Sequence, residues 1–302
     1  MSGQCKDRDP FEGKPSWLRR PLPKGSAFGQ VAQALRKHHV HTVCEEARCP
    51  NRAECFCRHT ATFLLLGSRC TRNCRFCAVE HGPLEPPDPK EPEQVAETAA
   101  ELGLRYVVLN SVTRDDVPDQ GKGIFAQSIT SIRQKIPGAM VEVLVPDFQG
   151  RKSCVQTVLK AEPNVFNHNV ETVPRIAQKA RPQADYQRSL RVLTMASSMA
   201  PHIPTKSGLM LGLGESDLEI QRTLEDMLQS GCRILTLGQY LQPTPAHLPV
   251  HRYIPPKDFD AWREIALSKG FDQVASGPLV RSSYQAHALY QATLTASTGH
   301  KE

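Results

Sequence analysis

Seven of the ten cysteines crowd between positions 44 and 77, and six of them, at 44, 49, 55, 70, 74 and 77, fall into two groups of three. Cys70-Thr-Arg-Asn-Cys74-Arg-Phe-Cys77 puts three thiols into a loop of eight residues. Iron–sulfur clusters are held by cysteine thiolates, normally four per cluster. Three ligands with no fourth cysteine nearby would leave one iron of a [4Fe–4S] cluster open, and an open metal position can take a substrate or cofactor directly. Arg72 and Arg75 would help hold an anionic cluster. Zinc with His81 as fourth ligand, or a disulfide pair, are the alternatives on spacing alone. The second group, Cys44, Cys49 and Cys55, is spaced CxxxxCxxxxxC and also lacks an evident fourth ligand. Structural zinc is the plain alternative here too. Two groups of three thiols so close together nevertheless point to two related cofactors rather than one cluster and one staple.

Composition leaves that chemistry room. With 302 residues, 39% hydrophobic and 23% charged, the chain is long enough to bury a full core. No run approaches the roughly eighteen apolar residues of a membrane span. Met1 to Lys24 lacks the apolar core of a signal peptide, so a cytoplasmic location is expected, as are reduced thiols. A net charge of +6 with only 6% aromatic residues and no Lys/Arg run gives no case for nucleic acid. Cys5, Cys154 and Cys232 have no neighbours at ligand spacing and read as inert thiols.

The elements that must position the cysteines are legible as alternation. Short apolar runs at Thr62–Leu66, Tyr106–Leu109, Val141–Val145, Val165–Phe166, Leu209–Leu211 and Ile234–Leu237 read as strands buried on both faces. Helices lie between them. One has Pro92 in its first turn and stops at Gly103; another opens on a Ser216/Glu219 capping box and ends at Gly231. Strand–helix alternation predicts parallel β-structure with right-handed crossovers. Six units predict an α/β fold, a partial (β/α)6 TIM-like barrel, with a doubly wound open sheet as the alternative. Either way chemistry belongs at the C-terminal ends of the strands, where the Cys70 loop follows the first strand. The organisation expected is an N-terminal extension over 1–59, the barrel over 60–275 and a C-terminal extension over 276–302.

CxxxCxxC with an aromatic residue before its last cysteine resembles the signature of the radical S-adenosylmethionine (SAM) superfamily, whose usual fold is a partial (β/α) barrel. The resemblance implies that SAM chelates the open iron and is cleaved to a 5′-deoxyadenosyl radical, with Phe76 against the adenine. Thr42-Val-Cys44-Glu-Glu-Ala-Arg-Cys49-Pro-Asn51 resembles the lipoyl synthase family in particular. So do the run Ser111–Asp116, Phe166-Asn-His-Asn169 with Glu171–Pro174, Thr205–Gly214, Leu237–Pro243 and Gly277-Pro-Leu-Val-Arg-Ser-Ser-Tyr284, together spanning about residues 40 to 285.

That resemblance implies two [4Fe–4S] clusters and two sulfur insertions, at C6 and C8 of an octanoyl group amide-linked to lysine on a lipoyl carrier domain. The sulfur comes from an auxiliary cluster on Cys44, Cys49, Cys55 and a serine of Arg281-Ser-Ser-Tyr284, so both extensions would carry that cluster. Ser282 and Ser283 are both offered, and Ser283 is taken here; a hard, weak oxygen ligand suits a cluster that must come apart. The expected partners are octanoylated carriers (2-oxoacid dehydrogenase acyltransferase subunits, glycine cleavage H protein) and an electron donor such as flavodoxin or ferredoxin, with no membrane and no nucleic acid. Two departures stand out: Asn110 where a small residue is usual, and Cys57, an extra thiol read as packing.

Other polar residues carry weaker expectations. Ser111, Asn167 and Asn169 are candidate SAM contacts, and Glu142 and Lys206, charged within or beside apolar runs, are candidates because buried charges need partners or ligands. A polar layer across the barrel and a structural ion pair are the competing readings. Gly212-Leu-Gly214 lacks the third glycine of a dinucleotide loop, Asp217 standing in its place, and Gly121-Lys-Gly123 reads as a turn.

Overall fold

The computed structural model describes residues 14–19, 27–58 and 60–298. Cys5, His59 and most of the expected N-terminal extension before residue 27 lie outside them. Ten strands occur among the described residues: β1 (His41–Thr42), β2 (Thr62–Leu65), β3 (Arg69–Cys70), β4 (Glu80–His81), β5 (Tyr106–Ser111), β6 (Met140–Leu144), β7 (Val165–Asn167), β8 (Thr205–Leu211), β9 (Ile234–Gln239) and β10 (Gln273–Gly277). Eight of them form one sheet in the order β1-β2-β5-β6-β7-β8-β9-β10, and β3 and β4 pair separately. Only β1 is antiparallel to its neighbour in this sheet, so seven parallel strands curve side by side, and among the described residues no ladder closes β10 back onto β1 or β2. This is a partial barrel.

The six apolar runs are strands as expected. The seventh parallel strand, β10, was not anticipated, because Gln-Val-Ala-Ser-Gly carries a single large apolar side chain. It belongs at the sheet edge, paired residue for residue to β9 from Gln273↔Ile234 to Gly277↔Gly238.

Helices cover the sheet: α1 (Ala27–Lys37), α2 (Val43–Glu46) and α3 (Arg52–Cys57) before it, then α4 (Glu91–Glu101), α5 (Lys122–Lys135), α6 (Lys152–Lys160), α7 (Pro174–Ala180), α8 (Tyr186–Met199), α9 (Asp217–Gln229) and α10 (Pro256–Lys269), with α11 (Ala286–Thr298) last. The Ser216/Glu219 capping box forms at the start of α9, an arrangement that satisfies two otherwise orphaned N–H groups and contributes about 1 kcal/mol. Side chains alternate along each strand. Phe63, Leu65, Val107, Leu109, Val141 and Val143 are fully buried and belong to the apolar core, whereas Asn110, Leu144, Gly208 and Met210 line a cavity inside the barrel.

The last helix closes the barrel from below. Tyr106 stacks on His287 with ring centroids 5.2 Å apart. Asn164 Nδ2 donates to Tyr290 Oη at 3.3 Å and Gln273 Nε2 to the Ala292 carbonyl at 3.3 Å. Tyr106, Asn164 and Gln273 sit at the N-terminal ends of β5, β7 and β10, so α11 lies opposite the end where barrel chemistry is done.

Candidate active site

The cysteine loop after β2 is held from three sides. Thr71 N–H and its hydroxyl both reach the Thr113 carbonyl beyond β5, at 3.0 and 2.9 Å. Arg75 N–H donates to the carbonyl of Ala180 at the end of α7 (2.8 Å), and His247 Nε2 approaches the Cys77 carbonyl (2.9 Å). Arg72, 7% exposed, does not face a ligand site. Its guanidinium makes paired bonds to Asp115 (2.7 and 3.0 Å) and to Asp147 (2.7 and 2.9 Å), which tie the loop to the ends of β5 and β6. Arg188 adds a bond to Asp147 at 3.2 Å. Buried, doubly bonded charge pairs fix geometry more than they add stability.

The other cysteine group rests on two short helices. Thr42 caps α2, its hydroxyl accepting from Glu45 N–H, and Cys55 N–H donates to Asn51 O at 2.9 Å at the start of α3. Asn51 is 1% exposed, and its amide reaches across to the Leu279 carbonyl at 2.7 Å, while Tyr284 Oη donates to Glu54 at 3.1 Å. The Arg281-Ser-Ser-Tyr284 loop is thereby fastened over Cys44, Cys49 and Cys55 by contacts more than two hundred residues long in sequence.

One cavity of about 470 Å³ joins these parts, lined by Cys44, Cys49 and Cys55 on one side, Phe76 and Cys77 on another, and Ser282 and Ser283 from the C-terminal loop. Cys70 and Cys74 of the same loop stand outside the lining. All of these thiols are unbridged. Burial, then the nearby Cys49, pushes Cys44 up to about 12. Burial likewise pushes Cys77 up to about 12 and Cys74 to about 11, with each thiol in the field of its motif neighbours. Without a bound cation these are neutral thiols, and any metal that loads them displaces protons. Among the described residues no three His, Cys, Asp or Glu side chains converge on a single ion. Each cysteine of a cluster binds its own iron, so the triads need no such convergence.

The rest of the lining fits a polar, roughly planar guest with an apolar chain beside it. Asn169 donates to Ser282 Oγ (2.7 Å) and to Glu171 (3.1 Å), leaving its own Oδ1 buried with no partner. Gly208 leaves a cradle, since a Cβ there would lie 2.5 Å from Thr236 Oγ1 and 3.2 Å from Asn169 Oδ1. Glu171, missed in the sequence as a site residue, holds φ +72° and lines the cavity. Its sequence signals were an acid just past a strand end and its place in the family-like Glu171–Pro174 run. Asn110, noted only as a departure, lines the cavity too.

Four expected cofactor contacts stand outside the lining. Lys206 Nζ and Glu142 Oε1 form an ion pair at 2.8 Å, each side chain 1% exposed, one layer below the cavity floor. Asn167 Nδ2 and Tyr106 Oη complete the carboxylate's partners at 3.2 and 2.8 Å. The charges meet each other because both positions point into the barrel on strands that bracket β7. Ser111 points away from Asn110, its hydroxyl buried and unpartnered.

A model of the radical SAM superfamily matches residues 64–227, more than half of the chain. The fold agrees: SuiB of Streptococcus suis, solved with S-adenosylmethionine, superposes with a TM-score of 0.54 over 82% of this chain and 53% of its own at 11% identity. Methylornithine synthase PylB gives 0.51 over 70% and 69% at 12%. A partial barrel with three cysteines after its first parallel strand places the chain in the radical SAM superfamily. Residues 6–49 match a model of the N-terminal domain of lipoyl synthase. Lipoyl synthase of Desulfotalea psychrophila is 51% identical over 92% of this chain and 93% of its own, and that of Pasteurella multocida 53% identical over 90% and 86%. The chain belongs to the lipoyl synthase family, radical SAM enzymes that work with [4Fe–4S] clusters and S-adenosylmethionine.

Proposed function

We propose that this chain inserts sulfur at C6 and C8 of an octanoyl group carried as a lysine amide on a lipoyl carrier domain, with Cys70, Cys74 and Cys77 holding the radical SAM cluster and Cys44, Cys49, Cys55 and Ser283 holding the auxiliary one. The observation that supports it best is the single cavity that touches both cysteine groups and the Arg281–Tyr284 loop. When bound, the clusters and S-adenosylmethionine supply the homolytic chemistry and the sulfur, which no side chain here can.

The chain's own part is holding and shielding. Ser282 is occupied as the acceptor of the Asn169 amide, whereas no hydrogen bond engages the Ser283 hydroxyl among the described residues, which favours Ser283 as the auxiliary ligand. Phe76, Asn169 and Glu171 offer an aromatic face and polar atoms to the nucleoside and amino-acid parts of S-adenosylmethionine. Val43, Leu144, Leu209 and Met210 supply an apolar wall for an acyl chain and exclude water from it. Glu142, Lys206 and Asn167 support the floor from beneath. Acyltransferase subunits of 2-oxoacid dehydrogenases and glycine cleavage H protein fit as carriers, flavodoxin or ferredoxin as electron donor, and the cytoplasm as location. No helix among the described residues is long and apolar enough to cross a membrane.

Iron content after anaerobic reconstitution tests the ligand sets. Full loading corresponds to about eight irons per chain, and alanine at either cysteine triad should remove about half. Loss of all iron with one triad, or of none, would overturn the assignment.

A further inference from the structure

Each cysteine triad has one inward arginine that makes no direct ion pair among the described residues, although the Glu171 carboxylate also feels the charge of Arg181. Arg181, 6% exposed, follows α7 directly beneath the Cys70 loop. The loop is bonded on both sides of it, Arg75 N–H to the Ala180 carbonyl at 2.8 Å and Asn73 N–H to Gln183 Oε1 at 3.1 Å. Its guanidinium donates only to neutral groups: the Asn169 and Val170 carbonyls at 3.1 and 3.0 Å, and Ser189 Oγ at 2.8 Å. Arg281 lines the cavity with Cys49 and bonds only its neighbour, the Val280 carbonyl, at 2.6 Å. Neither makes an ion pair among the described residues, in contrast to Arg72, which two aspartates neutralise, and Arg75, which is exposed.

Arg181 is buried and Arg281 half-buried, and a cation drawn out of water is costly unless it is directly paired. Both arginines sit on chain that touches a cysteine group: Arg181 lies between the two residues bonded to the Cys70 loop, and Arg281 belongs to the loop clasped to α3 and lines the cavity beside Cys49. Reduction potentials of iron–sulfur clusters follow the charge and hydrogen bonds around them, since reduction adds one negative charge.

We propose that Arg181 and Arg281 are resident counter-charges, Arg181 for a cluster on Cys70, Cys74 and Cys77 and Arg281 for one on Cys44, Cys49 and Cys55, each easing one-electron reduction of its own cluster. This rests on the ligand sets proposed above. It replaces Arg72 and Arg75, which the sequence offered for the task, by residues distant in the chain.

The test is an EPR-monitored redox titration of the full, anaerobically reconstituted chain. Signals are assigned to the two clusters by whether added S-adenosylmethionine perturbs them. Arg181→Gln should lower the reduced fraction of the S-adenosylmethionine-sensitive cluster about tenfold at fixed potential, about 59 mV for one electron, and leave the other unmoved. Arg281→Gln should do the reverse. Arg181→Lys and Arg281→Lys, which keep the charge and lose the fork, should titrate near wild type. Unchanged midpoints in both Gln variants, or Lys variants that behave like Gln, would overturn the inference. If Arg181→Gln takes up no iron, loading restored by Arg181→Lys supports it and loading not restored overturns it. Separately, Cys74→Ala must abolish the S-adenosylmethionine-sensitive signal; its persistence would sink the ligand assignment itself.

Discussion

Ser282 and Ser283 are adjacent and chemically identical, yet their surroundings separate them. Ser282→Ala removes an acceptor from Asn169 and should cost about 1 kcal/mol of stability, read by chemical denaturation, with auxiliary iron retained. Ser283→Ala should leave S-adenosylmethionine cleavage intact while sulfur transfer falls by at least tenfold, measured as 5′-deoxyadenosine against thiolated product; equal loss of both would contradict the ligand role. The two cysteine groups were legible at this scale because their spacing is local. Glu171 was not, since its place in the cavity lining depends on a left-handed backbone, and the loop contacts made by the neighbours of Arg181 come from residues far away in sequence.

The strands carry the next set of consequences. Lys206 and Glu142 are enclosed between β6 and β8, so Lys206→Met should destabilise the fold by about 3–5 kcal/mol through an unpaired buried carboxylate. Lys206→Met combined with Glu142→Gln should recover most of that in thermal unfolding, because Gln still accepts from Tyr106. Were the pair instead to bind cofactor, the double variant would fold well and lose S-adenosylmethionine affinity. His168, just past β7 and 3% exposed, gives a pH signature. Burial, with Arg181 adding to it, pushes its imidazole down from 6.5 to about 4, while Nδ1 bonds the Val145 carbonyl at 2.8 Å. The unfolded chain then binds the extra proton first, so stability present above pH 6.5 is lost as pH falls towards 4. In His168→Gln that slope between pH 6.5 and 4 should flatten in urea titrations; an unchanged slope would assign acid sensitivity elsewhere. At this scale the six apolar strands could be read from composition, because burial on both faces leaves few polar residues. β10 could not, because its pairing to β9 rather than its own side chains makes it a strand.

Across the whole molecule, the site is assembled from both ends of the chain. The Asn51–Leu279 and Glu54–Tyr284 bonds span 228 and 230 residues, and no local pattern foretells them. Asn51→Ala should lower auxiliary iron from about four to below two per chain while the other cluster stays loaded, as iron analysis and EPR would show; simultaneous loss of both would mean that the barrel, rather than the clasp, had failed. The motifs on either side of this clasp were visible in the sequence, but their meeting was supplied by the resemblance, and the geometry now gives it a physical cause. One cavity would let the two cysteine groups act on one acyl chain. The most direct test of this is to incubate the anaerobically reconstituted chain with S-adenosylmethionine, a reductant and an octanoyl-lysyl peptide, and follow the peptide by mass spectrometry. The account predicts a gain of two sulfurs and loss of two hydrogens, with 5′-deoxyadenosine formed alongside; 5′-deoxyadenosine with no sulfur gained by the peptide would contradict it.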